Sequence, residues 1–553
     1  MMYFLLCLAQ ANPFASAAQL EMERALNELT LPDQPKPYWI GMELSEGRYH
    51  LSTAKNGALF SHYEGDVQAA RIEVRVGEAE FDNGNFNASG ARGVILRQLP
   101  TEDNELALRQ EFWLGLDRAY KSAVEAYSEK KAAFDGREYN VERELLPATV
   151  QETAFYTPIL NEDWTADFAT QLSTTFSDFA FLEDNSVLVY TEAAADHYLN
   201  TEGFFTSQPQ TRVMIRVEAS ARSKDGALNR TVRSWVLPSR DTLASIEEYQ
   251  SELRSMALWL KKLEDAPIEE DYLGPVVFET QASVELFRQL LQPQLSATPP
   301  LAEMPDFDGE IPAVIPTSRI GRRLLPDGWS VVDDIPGNQG QIGAYQFDDQ
   351  GVSPQKVVLI ENGVVQDLLM SRIPRKGFAS STGHGRALGR DPLFAFPGVV
   401  EVIPRRRTSS KRMRKKALKM AKQTGLDYVL VIQNIEPLSQ TNMFEIAFSG
   451  SEQLSGLTLP TEAYRLYSDG STEPVRGLSF VGVDRKVLRD IIVAGEQSSF
   501  IGMTDDSSGR YGIGPISGMG VSWSAPAVLI GELELRGQGG QELRIIPRKV
   551  AQQ

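Results

Sequence analysis

Apolar and polar residues alternate in four stretches near the start of the chain: Tyr38–Glu43, Tyr49–Ala54, Ala58–Tyr63 and Ala70–Val76. Period-two alternation puts one set of side chains on each face of a strand, so these stretches predict strands. Asn56-Gly57 lies between the second and third, and both residues tolerate the positive φ of a two-residue hairpin turn. An antiparallel sheet is expected. Ahead of it, Gln19–Leu29 carries Leu20, Ala25, Leu26 and Leu29 near a 3.6 period and reads as a helix. The prolines at 32, 35 and 37 end it. Glu105–Phe134 reads as a longer helix with an apolar face of Leu106, Leu108, Phe112, Leu114, Leu116, Ala119, Tyr120, Ala123 and Ala126. Its tail, Glu129-Lys130-Lys131, should face water. Strands are expected over Phe179–Thr191, Thr211–Ala221 and Val232–Leu237, then a helix over Asp241–Leu263 with Asp241 as its cap. Ala266-Pro267 closes that helix and sets a domain boundary near 266–272.

The second half opens on a buried-strand run, Leu273–Phe278, and a short helix, Gln281–Leu291. A proline-rich loop over 292–317 follows. Strands dominate afterwards: Trp329–Val332, Lys356–Glu361, Val364–Met370, Tyr428–Asn434, Met443–Phe448, Glu462–Tyr467, Thr472–Arg476 and Ala527–Glu534. Helices are expected at Ser410–Gln423 and Arg485–Ala494. The fold class is α+β. An N-terminal lobe, 19–268, combines an antiparallel sheet with long helices, and a C-terminal lobe, 269–545, is β-rich.

Composition narrows the setting. The 553 residues exceed what one hydrophobic core serves. A formal charge of −19 argues against bulk attraction to nucleic acid or anionic lipid. With a single cysteine, Cys7, no intrachain disulfide is available. Residues 1–18 join a short apolar run to Ala15-Ser16-Ala17, a small-residue pattern like a signal-peptide cleavage site, although no Lys or Arg precedes the run. A periplasmic or secreted location is the expectation, and a cytoplasmic one if this segment is instead structural. No stretch is long and apolar enough to predict a transmembrane helix.

Six short blocks occur in order across the second half: Trp329–Asp334, Phe347-Asp348-Asp349-Gln350-Gly351, Val357–Gly363, Gly383-His384-Gly385-Arg386, Glu462-Ala463-Tyr464 and Pro474–Gly477. Each is weak alone. In this order and spacing, residues 270–535 resemble the C-terminal domain of the TldD/PmbA family, predicted zinc peptidases and their metal-free homologues, also called modulators of DNA gyrase. The first half resembles the family only loosely.

The resemblance implies a zinc site on the helix after Leu273–Phe278, made of an HExxxH sequence and a distant Cys. Carried over by spacing, HExxxH falls on Arg288-Gln289-Leu290-Leu291-Gln292-Pro293, and the Cys falls close to Thr504. Zinc of this kind needs two imidazoles about one helical turn apart and a Glu to activate water. Arg is no ligand at neutral pH, Thr is a poor one, and no His lies between His197 and His384. The resemblance is therefore to the metal-free, PmbA-like branch and to an exported member of it. No metal or other cofactor is expected.

What remains is a set of candidate cleft or peptide-binding residues: His384, Arg386, Arg288, Gln289 and Thr504. Two flanking glycines suggest an exposed His384 ring in a tight loop able to take a carboxylate or other anion, against a purely structural loop. Glu279 and Glu285, six apart, would diverge by roughly 120° on a helix and read as a helix-terminal charge and a surface ion pair. In Asp333-Asp334 and Asp348-Asp349 adjacent strand residues face opposite sides, so one of each pair could face a cleft, and both pairs read more simply as turn formers. The basic run Arg405–Lys422 holds ten Lys or Arg and no acidic residue. It reads as a solvated face, with an acidic partner, nucleic acid or an anionic membrane surface as the alternatives. The resemblance implies a homodimer, or a heterodimer with a zinc-bearing TldD-like paralogue, holding a peptide or unfolded polypeptide without cleaving it. An active peptidase using other residues and a self-associating structural envelope protein are the two rival readings.

Overall fold

The computed structural model describes residues 13–102, 104–137, 139, 141–158, 162–299, 301–302, 320–387, 393–437, 456–505 and 518–537. Asn56 and Gly57, at φ 48° and 79°, turn the expected hairpin. Its strands are far longer than the alternation suggested: β1 is Pro37–Lys55 and β2 is Ala58–Glu78. Each fuses two of the four stretches. Backbone pairing runs through the polar residues between them because it asks nothing of the side chains.

The remaining strands of this lobe are β3 (Phe81–Asp82), β4 (Val94–Gln98), β5 (Leu182–Asn200), β6 (Phe205–Arg222) and β7 (Leu228–Leu237). They form one antiparallel sheet in the order β3-β2-β1-β5-β6-β7, with β4 on β2.

Helices cover one face of this sheet. Ile40, Met42, Leu44, Ala70, Ile72, Val74 and Val76 pack under α1 (Pro13–Glu28) and α2 (Glu105–Ala133). Further along, Val187, Val189, Ile215 and Val217 pack under α3 (Thr165–Ser173) and α4 (Ile246–Leu263). Helix α3 was not expected. Helix α4 is capped by Ser245, whose hydroxyl accepts from the Glu248 amide at 3.3 Å, and Asp241 sits in a preceding 3-10 turn. Helix α1 includes Ala15-Ser16-Ala17. Phe14, Ala15, Ala17 and Ala18 are buried there, with the Phe14 ring 5.8 Å from that of Phe112. Leu106 and Leu114, expected on the inner face of α2, are exposed. The tail of α2 also departs from expectation. Glu129 and Lys131 face water, but Lys130 is wholly buried against Glu144 at 2.5 Å.

The opposite face is lined by charge. The odd-numbered neighbours of the core residues, Glu43, Arg71, Glu73 and Arg75, are all buried. They neutralise one another: Arg71 pairs with Glu43 and Glu73, and Arg75 with Glu73 and Asp82. The second lobe seals them. Leu301, Ile373 and Leu393 line a small cavity together with Arg71, Glu73 and Arg75. Arg372 reaches from the second lobe to grip Glu202 with two bonds of 2.7 and 2.9 Å.

The second lobe is built of two sheets. The first contains β8 (Tyr272–Phe278), β15 (Tyr428–Ile435), β16 (Pro460–Tyr467), β17 (Thr472–Val475), β18 (Leu478–Phe480), β19 (Ile491–Gln497) and β22 (Pro526–Gly537). Its order is β17-β16-β15-β8-β22-β18, with β19 on β22 and a parallel pair at β15/β8. The second contains β9 (Trp329–Asp333), β10 (Val357–Glu361), β11 (Val364–Val365), β14 (Val399–Pro404), β20 (Ile501–Asp505) and β21 (Met519–Ser524), in the order β11-β10-β9-β14-β21-β20. A two-stranded ribbon, β12 (Gly385–Arg386) with β13 (Phe394–Ala395), completes the set.

Helix α5 (Thr280–Leu291) shares a core with residues of both sheets. Helix α6 (Ser410–Gln423) packs on the outside of the first sheet. Strand β8 is thus buried on both faces, with Val276 and Phe278 towards α5 and Val277 towards α6, as its unbroken apolar run predicts. Arg485–Asp490 is a 3-10 turn leading into β19, not the start of a helix reaching Ala494. Of Val364–Met370 only the first two residues are strand. Met443–Phe448 and most of the proline-rich loop lie outside the described residues.

Helix α6 turns Met413, Ala417 and Ala421 inward, with Leu418 partly covered, while Lys411, Arg412, Lys415 and Lys416 are exposed. Like charges at this density are tolerable where water and salt screen them, over a Debye length of about 8 Å. Replacing those four cations by Gln should therefore change the thermal midpoint by no more than a degree or two, because surface substitutions typically stay within about 0.5 kcal/mol. A drop of ten degrees in a melt would refute the solvated-face reading.

Candidate functional site

A cleft of about 1440 Å³ opens where the two lobes meet. Strand β7 and helix α4 of the first lobe supply one wall. The start of α5, strands β15 and β16, and the turn from β19 into β20 supply the other. Trp235, Leu258, Trp259, Tyr464 and Phe500 give it apolar surface, and Glu252, Glu279, Glu462 and Glu496 outnumber Arg233 and Lys262 among its charges.

Two carboxylates anchor the second-lobe wall. Glu279 stands immediately before α5. It takes the Arg414 guanidinium, the Tyr464 hydroxyl at 3.1 Å and the Gln433 amide at 3.3 Å. Arg414 is the one position of the basic helix that turns towards the cleft wall in these bonds, and it also donates to the Tyr464 oxygen at 3.0 Å. Burial and the Glu279 charge push the Tyr464 phenol up, with Arg414 opposing, so it stays a neutral donor. Glu462 on β16 receives Arg233 at 2.6 Å and Thr231 at 2.9 Å from the first lobe, and Asn434 at 2.8 Å from its own sheet. Both carboxylates are held by donors and tie structural elements together.

The five residues singled out from sequence do not line it. Helix α5 follows the buried strand as expected, but its second turn points into the core. Arg288 is 2% exposed, with Nε 3.0 Å from Glu285. Gln289 bonds Glu285 at 2.9 Å and both the hydroxyl and the amide of Thr458. Glu285 is thereby a buried partner, not the surface ion pair that was expected. Thr504 lies within strand β20 opposite Gly520.

His384 is fully buried, not exposed. Gly383, at φ 72°, sits so close to the Ser353 carbonyl that no side chain would fit, and this tight turn lets the loop fold inward. The ring's Nδ1 meets Thr382, and Nε2 stands 3.7 Å from Asp333. Arg386 lies over the Tyr345 ring, 4.8 Å from its centroid, with Asp349 at 3.5 Å.

The aspartate pairs are structural. Asp333 accepts from the amides of Gly398 and Val399, Asp348 from those of Gln350, Val352 and Gly385, and Asp349 from that of Ala387. Burial pushes the Asp348 carboxyl up to about 6, with the neighbouring Asp349 charge adding to it and the three amides opposing.

The two positions to which spacing carries the family's imidazoles hold an Arg288–Glu285 ion pair and, past the end of α5, Gln292-Pro293 in a 3-10 turn. These residues do not fit a zinc ion.

The cleft residues that sequence reasoning passed over left traces. Glu279 read only as a helix-terminal charge. Glu462 and Tyr464 form one of the six blocks but carried no assigned role. Trp235 and Trp259 gave no signal, because what brings them to the cleft is the meeting of the lobes.

Comparison with known proteins follows the same outline. Residues 271–537 match the family model described as the PmbA/TldA metallopeptidase C-terminal domain. A metalloprotease of Methanocaldococcus jannaschii is 39% identical over 72 residues, 13% of this chain and 16% of that protein. A metalloprotease of Archaeoglobus fulgidus is 30% identical over 81 residues, 14% and 18% of the two. The aligned segments thus span less than a fifth of these relatives. Among solved structures, TldE from Thermococcus kodakarensis superposes with a TM-score of 0.59 at 12% identity, over 95% of this chain and all of that one. A Thermotoga maritima protein described as a modulator of a DNA gyrase gives 0.57 at 16% identity, over 90% and 96%. At such identities the likeness is one of fold.

Proposed function

The chain belongs to the TldD/PmbA family, and from that premise we propose that it is a non-catalytic member which holds a peptide or unfolded segment in the interlobe cleft. It does so as a homodimer or beside a zinc-bearing TldD-like paralogue. The observation that carries this reading is the second turn of α5. The position to which spacing carries the first histidine of the family's catalytic branch is Arg288, which pairs with a buried Glu285. The cleft alongside offers aromatic walls and carboxylates already tied by donors, which suits holding a chain better than hydrolysing it. Among the described residues no helix is long and apolar enough to cross a membrane.

The test uses untagged full-length protein and a fluorescently labelled pool of unstructured decapeptides rich in aromatic residues. Saturable anisotropy is expected, with no new amine ends released, whether zinc or a chelator is present. Leu258→Glu, at an exposed position on the cleft wall, should weaken binding by about tenfold, or about 1.4 kcal/mol, without disturbing the fold. Cleavage under any of these conditions would make the chain a peptidase. Unchanged binding by the variant would take the peptide out of the cleft.

A further inference from the structure

Two of the chain's four histidines meet on the hairpin of the first lobe, far in sequence from the helix discussed above. His50 of β1 is directly cross-strand from Glu64 of β2, and Ser52 from His62. The two imidazole rings lie nearly parallel, with centroids 6.5 Å apart. Asp163, just before α3, faces both: its carboxylate oxygens are 3.7 Å from His50 Nδ1 and 3.8 Å from His62 Nδ1. Glu64 Oε2 is 3.9 Å from the same His50 nitrogen. His62 Nδ1 is within 3.0 Å of the Ser52 hydroxyl, which in turn meets Thr165.

His50 is 7% exposed, and its Nδ1 has no hydrogen-bond partner among the described residues. A buried ring nitrogen left without a partner is destabilising, unless something of suitable chemistry occupies the space in front of it. Here that space is bounded by a second imidazole and two carboxylates. One ligand atom from each of His50, His62 and Glu64 lies within 4.8 Å of the others.

We propose that His50, His62 and Glu64, with Asp163 as fourth ligand or as orienting partner, form a binding site for a divalent transition-metal ion of the zinc class. Imidazole nitrogen favours such ions over calcium or magnesium, which take oxygen ligands. With metal–nitrogen distances of about 2.0–2.1 Å, tetrahedral ligands stand roughly 3.4 Å apart, so the present arrangement closes by little more than an ångström. Glu64 is 67% and His62 33% exposed at the side chain, which leaves them free to make that movement and the ion free to enter from their side. An occupied site would pin the middle of the β1–β2 hairpin to the start of α3. It lies in the first lobe, and nothing in it bears on peptide hydrolysis.

The experiment is a zinc titration of untagged, chelator-stripped full-length protein by calorimetry, with cobalt as an optical probe. One saturable site per chain is expected, exchangeable on dialysis, together with a visible d–d band on cobalt binding and a rise in thermal midpoint that chelator reverses. The double variant His50→Gln/His62→Gln should lose at least about a hundredfold in affinity, since even outer partners of metal ligands are worth about 10–100-fold. Glu64→Gln, at an exposed position that the fold does not depend on, should weaken binding several-fold and guards against a double variant that fails to fold. An absence of saturable binding in the parent protein overturns the proposal. So does binding that is undiminished by Glu64→Gln and by the double variant, which would place any ion elsewhere, including the helix α5 region. Neither outcome affects the peptide-holding reading, which is tested by anisotropy and cleavage alone.

Discussion

Lys130→Met should destabilise the protein by roughly 3–5 kcal/mol, the cost of removing one partner of a buried ion pair. Lys130 and Glu144 are both 0% exposed at the side chain, and their charged atoms are 2.5 Å apart. The ammonium also donates to the Gly84 carbonyl at 2.8 Å and stands over the rings of Phe81 and Tyr139. Burial pushes its pKa down, while Glu144 holds it up. Methionine fills the space of the lysine stem, so the loss falls mainly on Glu144, which keeps Asn85 from the neighbouring turn and the Tyr139 hydroxyl but no cation bonded to it. Against a total stability of about 5–15 kcal/mol, this is a large fraction. The check is denaturant unfolding of the single variant and of Lys130→Met/Glu144→Gln. The double variant should recover more than half of the loss, since it no longer buries a lone charge. Equal destabilisation of the two would show that packing, not charge, governs the site.

Arg288→Met should cost a similar amount, again roughly 3–5 kcal/mol, and it probes the turn that decides the functional reading. Glu285 is 3% exposed, and its Oε2 accepts from both Arg288 and Gln289. Loss of the guanidinium leaves a carboxylate in the core between the two sheets of the second lobe. Glu285→Leu/Arg288→Leu should restore most of the stability, because a buried ion pair replaced by apolar residues of similar size is often neutral or better. A consequence for function follows. Arg288→His should not create a zinc peptidase. It would remove half of an ion pair in a place where Gln292 and Pro293 supply no second imidazole. Stoichiometric zinc accompanied by peptide cleavage in that variant would show that the scaffold had kept a working site.

Much of the fold was legible. Helix Ser410–Gln423 was read with its boundaries, and Glu105–Phe134 and Gln281–Leu291 to within a residue. Each has a clear apolar stripe, and period is a local property of the chain. Asn56-Gly57 announced its own turn. The two long strands were underestimated because their middle residues are polar, and the short strand Val399–Pro404, antiparallel to β9 and parallel to β21, was missed. The candidate site was legible only as an absence. The missing HExxxH and the missing cysteine could be read directly, whereas the cleft residues could not, since they come from β7, α4, α5, β16 and β19 and meet only when the lobes close.

The segment Ala70-Arg71-Ile72-Glu73-Val74-Arg75-Val76 shows where the division falls. Its alternation by itself determined a strand with one apolar and one charged face. The same pattern says that the charged face belongs in water, as Glu129-Lys130-Lys131 says of the end of α2. Tertiary structure decided otherwise. Arg71, Glu73 and Arg75 lie beneath the second lobe, and Lys130 lies beneath the segment that carries Glu144. A charge can leave water only where opposite charges and hydrogen bonds replace its hydration. Glu43, Asp82 and Glu144 are those replacements, and they come from other strands and loops. Sequence determines which faces exist. Whether a charged face meets solvent or a partner depends on groups that only folding brings within a few ångströms.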